Sequence, residues 1–124
     1  MGRALIVSAG ASSNEYISAR LTELGYALPI IVPSAAEARR RMLESDFELI
    51  VVNSPLPDEF GHELGTDAVT KTDAGVILLT KAATADQIAD KLQEFGVLVL
   101  GKPFTGVQFR QAVQIAASNY KRLA

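Results

Sequence analysis

Five polar side chains follow short apolar runs of the chain, and these residues are the best placed to do chemistry. They are Ser8, Asn53, Thr80, Lys81 and Lys102. They supply hydroxyl groups, one amide and two ammonium groups, which donate and accept hydrogen bonds and attract anions. The chain has one histidine and no cysteine, so a transition-metal centre is not expected. No nucleophile with an adjacent base can be assembled from these residues, and we therefore expect a protein that is not an enzyme.

The length and the nearly balanced charge of the chain are typical of one globular domain. The chain has 124 residues, 12 Lys and Arg against 14 Asp and Glu, and no cysteine. A chain of this length buries enough surface to fold without disulfides or zinc, so residues 1–124 are expected to form a single domain. No block of five like charges occurs, and no stretch reaches the roughly 18 apolar residues that span a bilayer. We expect no nucleic acid bound by this segment, no membrane contact and a cytoplasmic location, which leaves protein partners or small ligands.

Five apolar runs set out the frame that must position the polar residues. Four of them are apolar at every position, as in strands covered by helices on both faces. The second run contains Pro29, which places it near a sheet edge. The predicted strands are residues 4–7, 28–32, 49–52, 76–79 and 97–100.

Segments with helical spacing separate these runs. Residues 12–14, Ser34 and Thr84 are predicted N-caps, and Gly25 and Gly96 are predicted stops. A helix over residues 62–71 has the weakest pattern. The last helix begins after residue 103, and its predicted inner face consists of Phe109, Ala112, Val113, Ala116 and Tyr120.

Strand and helix alternate five times, which predicts an α/β fold with a parallel sheet and right-handed crossovers. The numbers of elements fit the flavodoxin-like, doubly wound five-stranded sheet of order 2-1-3-4-5, with helices on both faces. In that order, ligands and chemistry gather at the carboxyl ends of strands 1, 3, 4 and 5. The polar residues named above stand at those ends.

The residues at these strand ends resemble those of the receiver domains of two-component response regulators. The resemblance spans about residues 5–120 and rests on Leu56-Pro57-Asp58, Thr80 and Lys102-Pro103-Phe104. In that family, strand 1 ends in a pair of acids and strand 3 in the phosphorylated Asp. The resemblance implies the receiver fold and a part in signal transduction.

Departures from the family pattern fall on the phosphorylation site itself. Ser8 and Ala9 stand at the positions of the acid pair, Asn53 at the phosphoacceptor, and Val99 at the switch aromatic; Lys81 replaces a small residue. An amide offers no anionic oxygen to attack phosphorus, and Mg²⁺ seldom binds without carboxylate ligands. The resemblance therefore implies a degenerate member, a pseudo-receiver, and we expect no phosphorylation at Asn53, no metal and no cofactor.

Two interpretations of the remaining cations stay open. In the first, the Lys102 ammonium is held by carbonyl groups or by Asn53 Oδ1. In the second, Lys102 and Lys81 attract an anion or a nucleotide to the loop that contains Gly10, Ser12 and Ser13. The second interpretation describes a small-ligand sensor.

Charged residues elsewhere have simpler interpretations. Asp58 and Glu59 could stand in as displaced acids of the site, but we expect them to be solvated or to cap the following helix. The run from Arg39 to Arg41 is expected on a solvated helix face, with Glu37 pairing to Arg41 and Arg40 to Glu44. A docking patch is the alternative for this run.

The end of the chain suggests a further domain. The last helix carries basic residues and no strong stop signal, which suits a helix that continues toward an output domain. This arrangement resembles regulators with an ANTAR-type output that act in transcription antitermination. We expect protein partners or self-association as a homodimer, through the fourth strand and helix, the fifth strand and the last helix.

Overall fold

The computed structural model describes residues 2–121 of the chain. Within that range, no helix is both long and apolar enough to cross a membrane. Strands and helices alternate along the described residues. The elements are β1 Ala4–Val7, α1 Ala11–Glu23, β2 Ile30–Val32, α2 Ala35–Glu44, β3 Leu49–Asn53, α3 His62–Lys71, β4 Gly75–Lys81, α4 Ala82–Phe95, β5 Val97–Lys102 and α5 Gly106–Ser118.

All strand pairs are parallel, and the sheet has the order β2-β1-β3-β4-β5. This confirms the predicted flavodoxin-like fold. The register pairs Val7 with Val52 and Lys81 with Lys102. The carboxyl ends of β1, β3, β4 and β5 therefore meet at one edge of the sheet.

Side chains alternate between the two faces of the sheet and fill two core layers. Leu5 and Val7 enter the layer covered by α2, α3 and α4, whereas Ala4 and Ile6 enter the layer covered by α1 and α5. Burial on both faces explains why β1, β3 and β4 are nearly continuous apolar runs. The helices α2, α3 and α4 contribute Ala35, Ala38, Leu64, Ala68 and Leu92 to the first layer, and α1 and α5 contribute Ile17, Leu21, Phe109, Ala112, Val113 and Ala116 to the second.

The predicted second strand is too long, although its edge position is confirmed. Only Ile30–Val32 pair with β1. Leu28 has a left-handed backbone (φ 52°) and is 90% exposed, so the chain is still turning there. Pro29 has no N–H to donate to a sheet, which delays the strand until Ile30.

Helix starts were predicted correctly at Ser34 and wrongly at two other helices. The hydroxyl of Ser34 accepts the Glu37 N–H at 3.2 Å. Helix α1 begins one turn earlier than predicted, with Gly10 at its N-cap, so residues 12–14 lie inside the helix. Helix α4 follows β4 directly, with Lys81 at its N-cap, and Thr84 is an interior residue. Gly96 ends α4 in the left-handed conformation as predicted, with φ 94°.

The last helix is shorter than its pattern predicts. A capping box between Thr105 and Gln108 starts α5, and Asn119 caps its end. Tyr120 lies beyond the helix, and the next residue, Lys121, donates its N–H to the Asp73 carbonyl at 2.9 Å. The prediction that the helix carries Tyr120 is wrong, because the chain turns back toward the start of β4. Residues 122–124 lie outside the described range, and an output domain remains a prediction.

Candidate functional site

A chain of hydrogen bonds joins three of the predicted residues at the edge where the strands end. Lys102 Nζ donates to Asn53 Oδ1 at 2.8 Å and to the Ser54 carbonyl at 2.7 Å. Asn53 Nδ2 in turn donates to Ser8 Oγ at 3.1 Å. The interpretation that Asn53 Oδ1 and a carbonyl group hold the Lys102 ammonium is confirmed.

The sheet fixes this geometry because its hydrogen bonding continues past the strand ends. The Ser8 N–H donates to the Val32 carbonyl at 2.9 Å, and the Ser54 N–H to the Leu79 carbonyl at 2.8 Å. Ser8, Ser54 and Thr80 are fully buried, whereas Ala9 is exposed at the start of the following loop. Three side-chain groups are thus held on a rigid backbone.

Positive charge gathers at this edge. Burial lowers the pKa of Lys102, and repulsion by Lys81 lowers it further. Lys81 is exposed and is the register partner of Lys102, so the two side chains leave the sheet as neighbours. The acceptors of Lys102 are an amide oxygen and a backbone carbonyl, both of them neutral.

The donor set at this edge does not suit a metal ion. Within residues 2–121, no group of three or more His, Cys, Asp or Glu side chains is placed to hold one. Asn53 uses its oxygen and its nitrogen in hydrogen bonds to Lys102 and Ser8. What the arrangement offers chemically is hydrogen bonding and positive charge, without a nucleophilic carboxylate.

A small cleft of about 220 Å³ lies over the hydrogen-bonded chain. Ser12 and Ser13, two residues of the predicted anion loop, line it together with Lys102, whereas Gly10 is the N-cap of α1. No side chain caps α1 and its first turn has no acid, which leaves its N–H groups available to an anion. The rest of the cleft wall consists of Tyr16, Ile17, Asn53, Leu79 and Phe104.

Asp58 belongs to this region in a way that the sequence did not reveal. Its two carboxylate oxygens accept the Ala35 and Ala36 N–H groups, each at 3.0 Å, at the start of α2. These two backbone hydrogen bonds lower the pKa of Asp58. Asp58 is exposed, as the prediction of a solvated side chain requires, but the helix that it caps precedes it in the chain and is not the following one.

Arg39 forms a second link to the loop after β3. Its guanidinium donates to Glu59 at 2.7 and 3.3 Å and to Asp67 at 3.1 and 3.0 Å. These carboxylates raise the pKa of Arg39. The predictions of a solvated Arg39 and a solvated Glu59 are wrong, since the two join α2 to α3 and its preceding loop. The residue type of Arg39 and its place in the basic run give no signal for such a distant partner.

The two ion pairs predicted within α2 are not the ones the structure forms. Arg40 instead pairs with Glu37, one turn earlier in the helix, with 3.9 Å between Nη2 and Oε1. The structure shows no pair of Glu37 with Arg41 or of Arg40 with Glu44 within residues 2–121. The remaining departure from the family pattern, Val99, is half-buried on β5 against the first core layer.

Solved structures show what this fold is similar to. The receiver domain of a signal transduction histidine kinase from Syntrophus aciditrophicus is 26% identical, with a TM-score of 0.81 over 100% of this chain and 96% of that chain. The beryllofluoride-activated NtrC4 receiver domain dimer is 29% identical, with a TM-score of 0.82 over 95% and 98%. The PA1611 receiver domain from Pseudomonas aeruginosa PAO1, with a magnesium ion coordinated in its active site cleft, is 22% identical, with a TM-score of 0.76 over 94% and 98%.

No family model and no curated protein sequence matches the chain. The structural likeness nevertheless covers the chain from end to end and agrees with the observed strand order. The chain therefore has the fold of response-regulator receiver domains.

Proposed function

We propose that this chain is a pseudo-receiver, a regulatory module of a signal-transduction protein that works without phosphorylation. The observation that carries the proposal is the hydrogen-bonded chain from Lys102 through Asn53 to Ser8. It occupies the sheet edge where receiver chemistry would take place, and it consists of neutral acceptors and one ammonium. The module then acts by binding: a protein partner or a second copy selects one of its conformations.

Charge at the strand ends supports this proposal. Formation of an acyl phosphate requires a carboxylate oxygen that attacks phosphorus, with Mg²⁺ bridging protein acids and the phosphoryl group. Asn53 has no such oxygen. Lys102 and Lys81, neighbours on paired strands, repel a divalent cation. The PA1611 receiver domain holds magnesium in its active site cleft, whereas the acceptors around Lys102 in this chain are neutral.

The face formed by α4, β5 and α5 is the proposed contact surface. Phe95 on α4 is 49% exposed and Ile115 on α5 is 53% exposed. Residues 98–102 of β5 are half-buried, in contrast to residues 75–80 of β4, which are buried. The NtrC4 receiver domain is a dimer, and we extend self-association to this chain as part of the proposal.

The biological setting of the module is proposed from the resemblance alone. A pseudo-receiver ahead of an ANTAR-type output would take part in transcription antitermination in the cytoplasm. Contact with RNA would then belong to the output domain and not to residues 2–121.

A second function, a sensor of small anions or nucleotides, has one observation in its favour. The uncapped N-terminus of α1 and the Lys102 ammonium face the same cleft, and Ser12 and Ser13 line it. An anion there would offset the repulsion between Lys102 and Lys81. The apolar remainder of the wall, which includes Tyr16 and Phe104, makes this the weaker proposal.

One experiment tests directly whether this chain is phosphorylated. The protein is incubated with Mg²⁺ and acetyl phosphate beside a phosphorylatable receiver domain, and its intact mass and oligomeric state are measured. We expect no added phosphate and no change of oligomeric state in this chain. Phosphate incorporated at any residue, with a matching change of oligomeric state, would overturn the proposal.

The anion alternative is tested in parallel with inorganic phosphate and nucleotides. Amide chemical shifts of residues 10–14 are followed during the titration. Shifts that saturate at millimolar ligand, together with a rise in melting temperature, would favour the sensor. Unchanged shifts would leave the binding module as the function.

A further inference from the structure

The Lys102 ammonium is a half-buried charge that is held only by neutral groups. Its two acceptors are Asn53 Oδ1 at 2.8 Å and the Ser54 carbonyl at 2.7 Å. Neither Lys102 nor Lys81 belongs to an ion pair within residues 2–121. Burial and repulsion by Lys81 both lower the pKa of Lys102. Because charges withdrawn from water are stable when they are paired, an anion beside this ammonium would be bound favourably.

One N–H group of Lys102 remains for such an anion. A lysine ammonium has three N–H groups, and Asn53 and Ser54 accept hydrogen bonds from two of them. Lys102 lines the cleft of about 220 Å³ together with Ser12 and Ser13, whose hydroxyl groups can donate further hydrogen bonds. The polar part of the cleft therefore suits a group with one or two acceptor oxygens, such as a carboxylate.

The rest of the cleft wall is aromatic and aliphatic. The rings of Tyr16 and Phe104 have centroids 6.2 Å apart and planes inclined by 53°, so they form a corner and not one flat wall. Ile17 and Leu79, both buried, complete the apolar lining. This surface gives no hydrogen bond to a bare inorganic anion, but it suits a flat ring, which packs against aromatic faces and edges.

Contacts outside the cleft hold both rings in place. Phe104 stacks on the fully buried Phe109, with ring centroids 5.6 Å apart and an interplanar angle of 20°. The Arg20 guanidinium lies 5.2 Å from the centroid of the Tyr16 ring. A wall that is already ordered loses little conformational entropy when a ligand binds to it.

The size of the cleft limits the ligand. Its volume of about 220 Å³ lies below the roughly 300 to 1,000 Å³ of sites that take drug-sized ligands. A nucleotide would extend beyond the cleft, whereas one ring with one carboxylate fits within it.

We propose that this cleft binds an aromatic monocarboxylate, with its carboxylate on the Lys102 ammonium and its ring in the corner between Tyr16 and Phe104. The inference rests on the anion-sensor function proposed above and names the ligand class of that site. Benzoate, one ring with one carboxylate, is the probe.

The test compares benzoate, cyclohexanecarboxylate, acetate and inorganic phosphate by NMR titration of the protein. We expect benzoate to bind about tenfold more tightly than acetate, because benzoate also buries a ring. Cyclohexanecarboxylate has the same charge and a similar size without a π system, and it should bind about threefold more weakly than benzoate. The ring current of benzoate should shift the side-chain resonances of Tyr16 and Phe104, which acetate cannot do.

Two substitutions examine the two parts of the site separately. Tyr16→Leu should remove the preference for benzoate over cyclohexanecarboxylate and leave the affinity for acetate unchanged. Lys102→Met should weaken the binding of all three carboxylates by more than about tenfold. Lys91→Met and Phe95→Leu are the matched controls, because both residues are exposed on α4 outside the cleft, and these variants should bind benzoate like the parent.

The outcomes distinguish failure of this inference from failure of the functions on which it rests. Acetate or phosphate bound as tightly as benzoate would overturn the aromatic ligand and leave the anion sensor standing, whereas saturation by none of the anions would overturn both. A preference for benzoate that survives Tyr16→Leu, or binding that survives Lys102→Met, would place the ligand elsewhere and overturn the inference. Independence from phosphorylation is judged separately, by the acetyl phosphate experiment.

Discussion

At the scale of single residues, Asn53 both donates and accepts a side-chain hydrogen bond, which a carboxylate at its position could not do. Its Nδ2 donates to Ser8 while its Oδ1 accepts from Lys102, so both ends of one planar amide are used. A carboxylate has the same shape but only acceptors. The amide therefore completes a hydrogen-bond network with Ser8 and Lys102, and this network provides no binding site for a cation.

Asn53→Asp is expected to leave the protein without useful affinity for Mg²⁺. The new carboxylate would pair with Lys102, whose ammonium already lies 2.8 Å from Oδ1. One carboxylate paired with a lysine is a poor start for a magnesium site, which needs one or two unpaired acids. Calorimetric titration with Mg²⁺ should show no binding for the variant or its parent.

The triple substitution Ser8→Asp, Ala9→Asp and Asn53→Asp is the matched counterpart. It supplies two further acids at the same edge of the sheet and should bind Mg²⁺. Binding by the single variant, equal to that of the triple one, would mean that pairing with Lys102 and the lack of two further acids do not limit metal affinity.

The residues that sequence reasoning found and missed differ in a physical way. Lys102 and Asn53 were predicted to meet because both stand at the ends of parallel strands, where topology alone brings them together. Asp58 and Arg39 were misjudged because their partners are 20 to 28 residues away. Those contacts depend on how far α2 is rotated about its own axis, which apolar periodicity fixes only loosely.

At the scale of elements, α2 is fastened to the loop after β3 from two directions. Asp58 caps its first turn, and Arg39 reaches Glu59 in the loop and Asp67 on α3. Helix α2 itself buries mainly two alanines, Ala35 and Ala38. Small buried side chains contribute little apolar area, so polar links carry more of the burden of positioning this helix.

Arg39→Met is expected to lower the free energy of unfolding by about 1 kcal/mol. The Arg39 side chain is 33% exposed, and solvent screening reduces its two ion pairs to this modest value. Methionine keeps the aliphatic stem, so the loss reports on charge and hydrogen bonding. Urea denaturation at low and high salt measures it, and most of the difference should vanish at high salt.

Arg40→Met is the neighbouring control. Arg40 is 65% exposed and lies 3.9 Å from Glu37, so its loss should cost no more than about 0.3 kcal/mol. Equal losses at the two positions would contradict the link between α2 and α3.

The contact between α5 and the start of β4 depends on the absence of a side chain at Gly75. A Cβ at Gly75 would overlap the carbonyl group of Ala116 on α5. Gly75→Ala is expected to push α5 away from the sheet and to lower the free energy of unfolding by more than about 3 kcal/mol. Thermal or urea unfolding followed by circular dichroism measures the change.

Gly106→Ala provides the matched control for the same helix. Nothing lies within 4 Å of a Cβ at Gly106, the first residue of α5. Alanine there should be neutral or stabilising by up to about 1 kcal/mol. A Gly75 variant as stable as the Gly106 variant would show that α5 is not seated as described.

At the scale of the whole molecule, the strand order of the sheet could be predicted from the sequence, but the unequal burial of its strands could not. Alternating strands and helices, with runs apolar on both faces, leave few topologies open, and the observed order is one of them. The apolar run of β5 has the same sequence character as β4, yet its residues 98–102 are only half-buried. An edge strand is covered incompletely by its helices, and apolar letters alone do not distinguish it from a central strand.

The incompletely covered sheet edge at β5 leads to a prediction about self-association. The chain is expected to self-associate through α4, β5 and α5, where Phe95 and Ile115 are each about half exposed. Phe95→Glu combined with Ile115→Glu places two negative charges in the proposed interface, and burying them would cost more than the contact returns. Sedimentation velocity over a range of protein concentrations should show a dimer for the parent and a monomer for the double variant.

Leu43→Glu is the control, because Leu43 is 88% exposed on α2 and lies outside this face; it should dimerise like the parent. A parent that stays monomeric at all concentrations, or a Leu43 variant that dissociates as readily as the double variant, would contradict assembly through α4, β5 and α5.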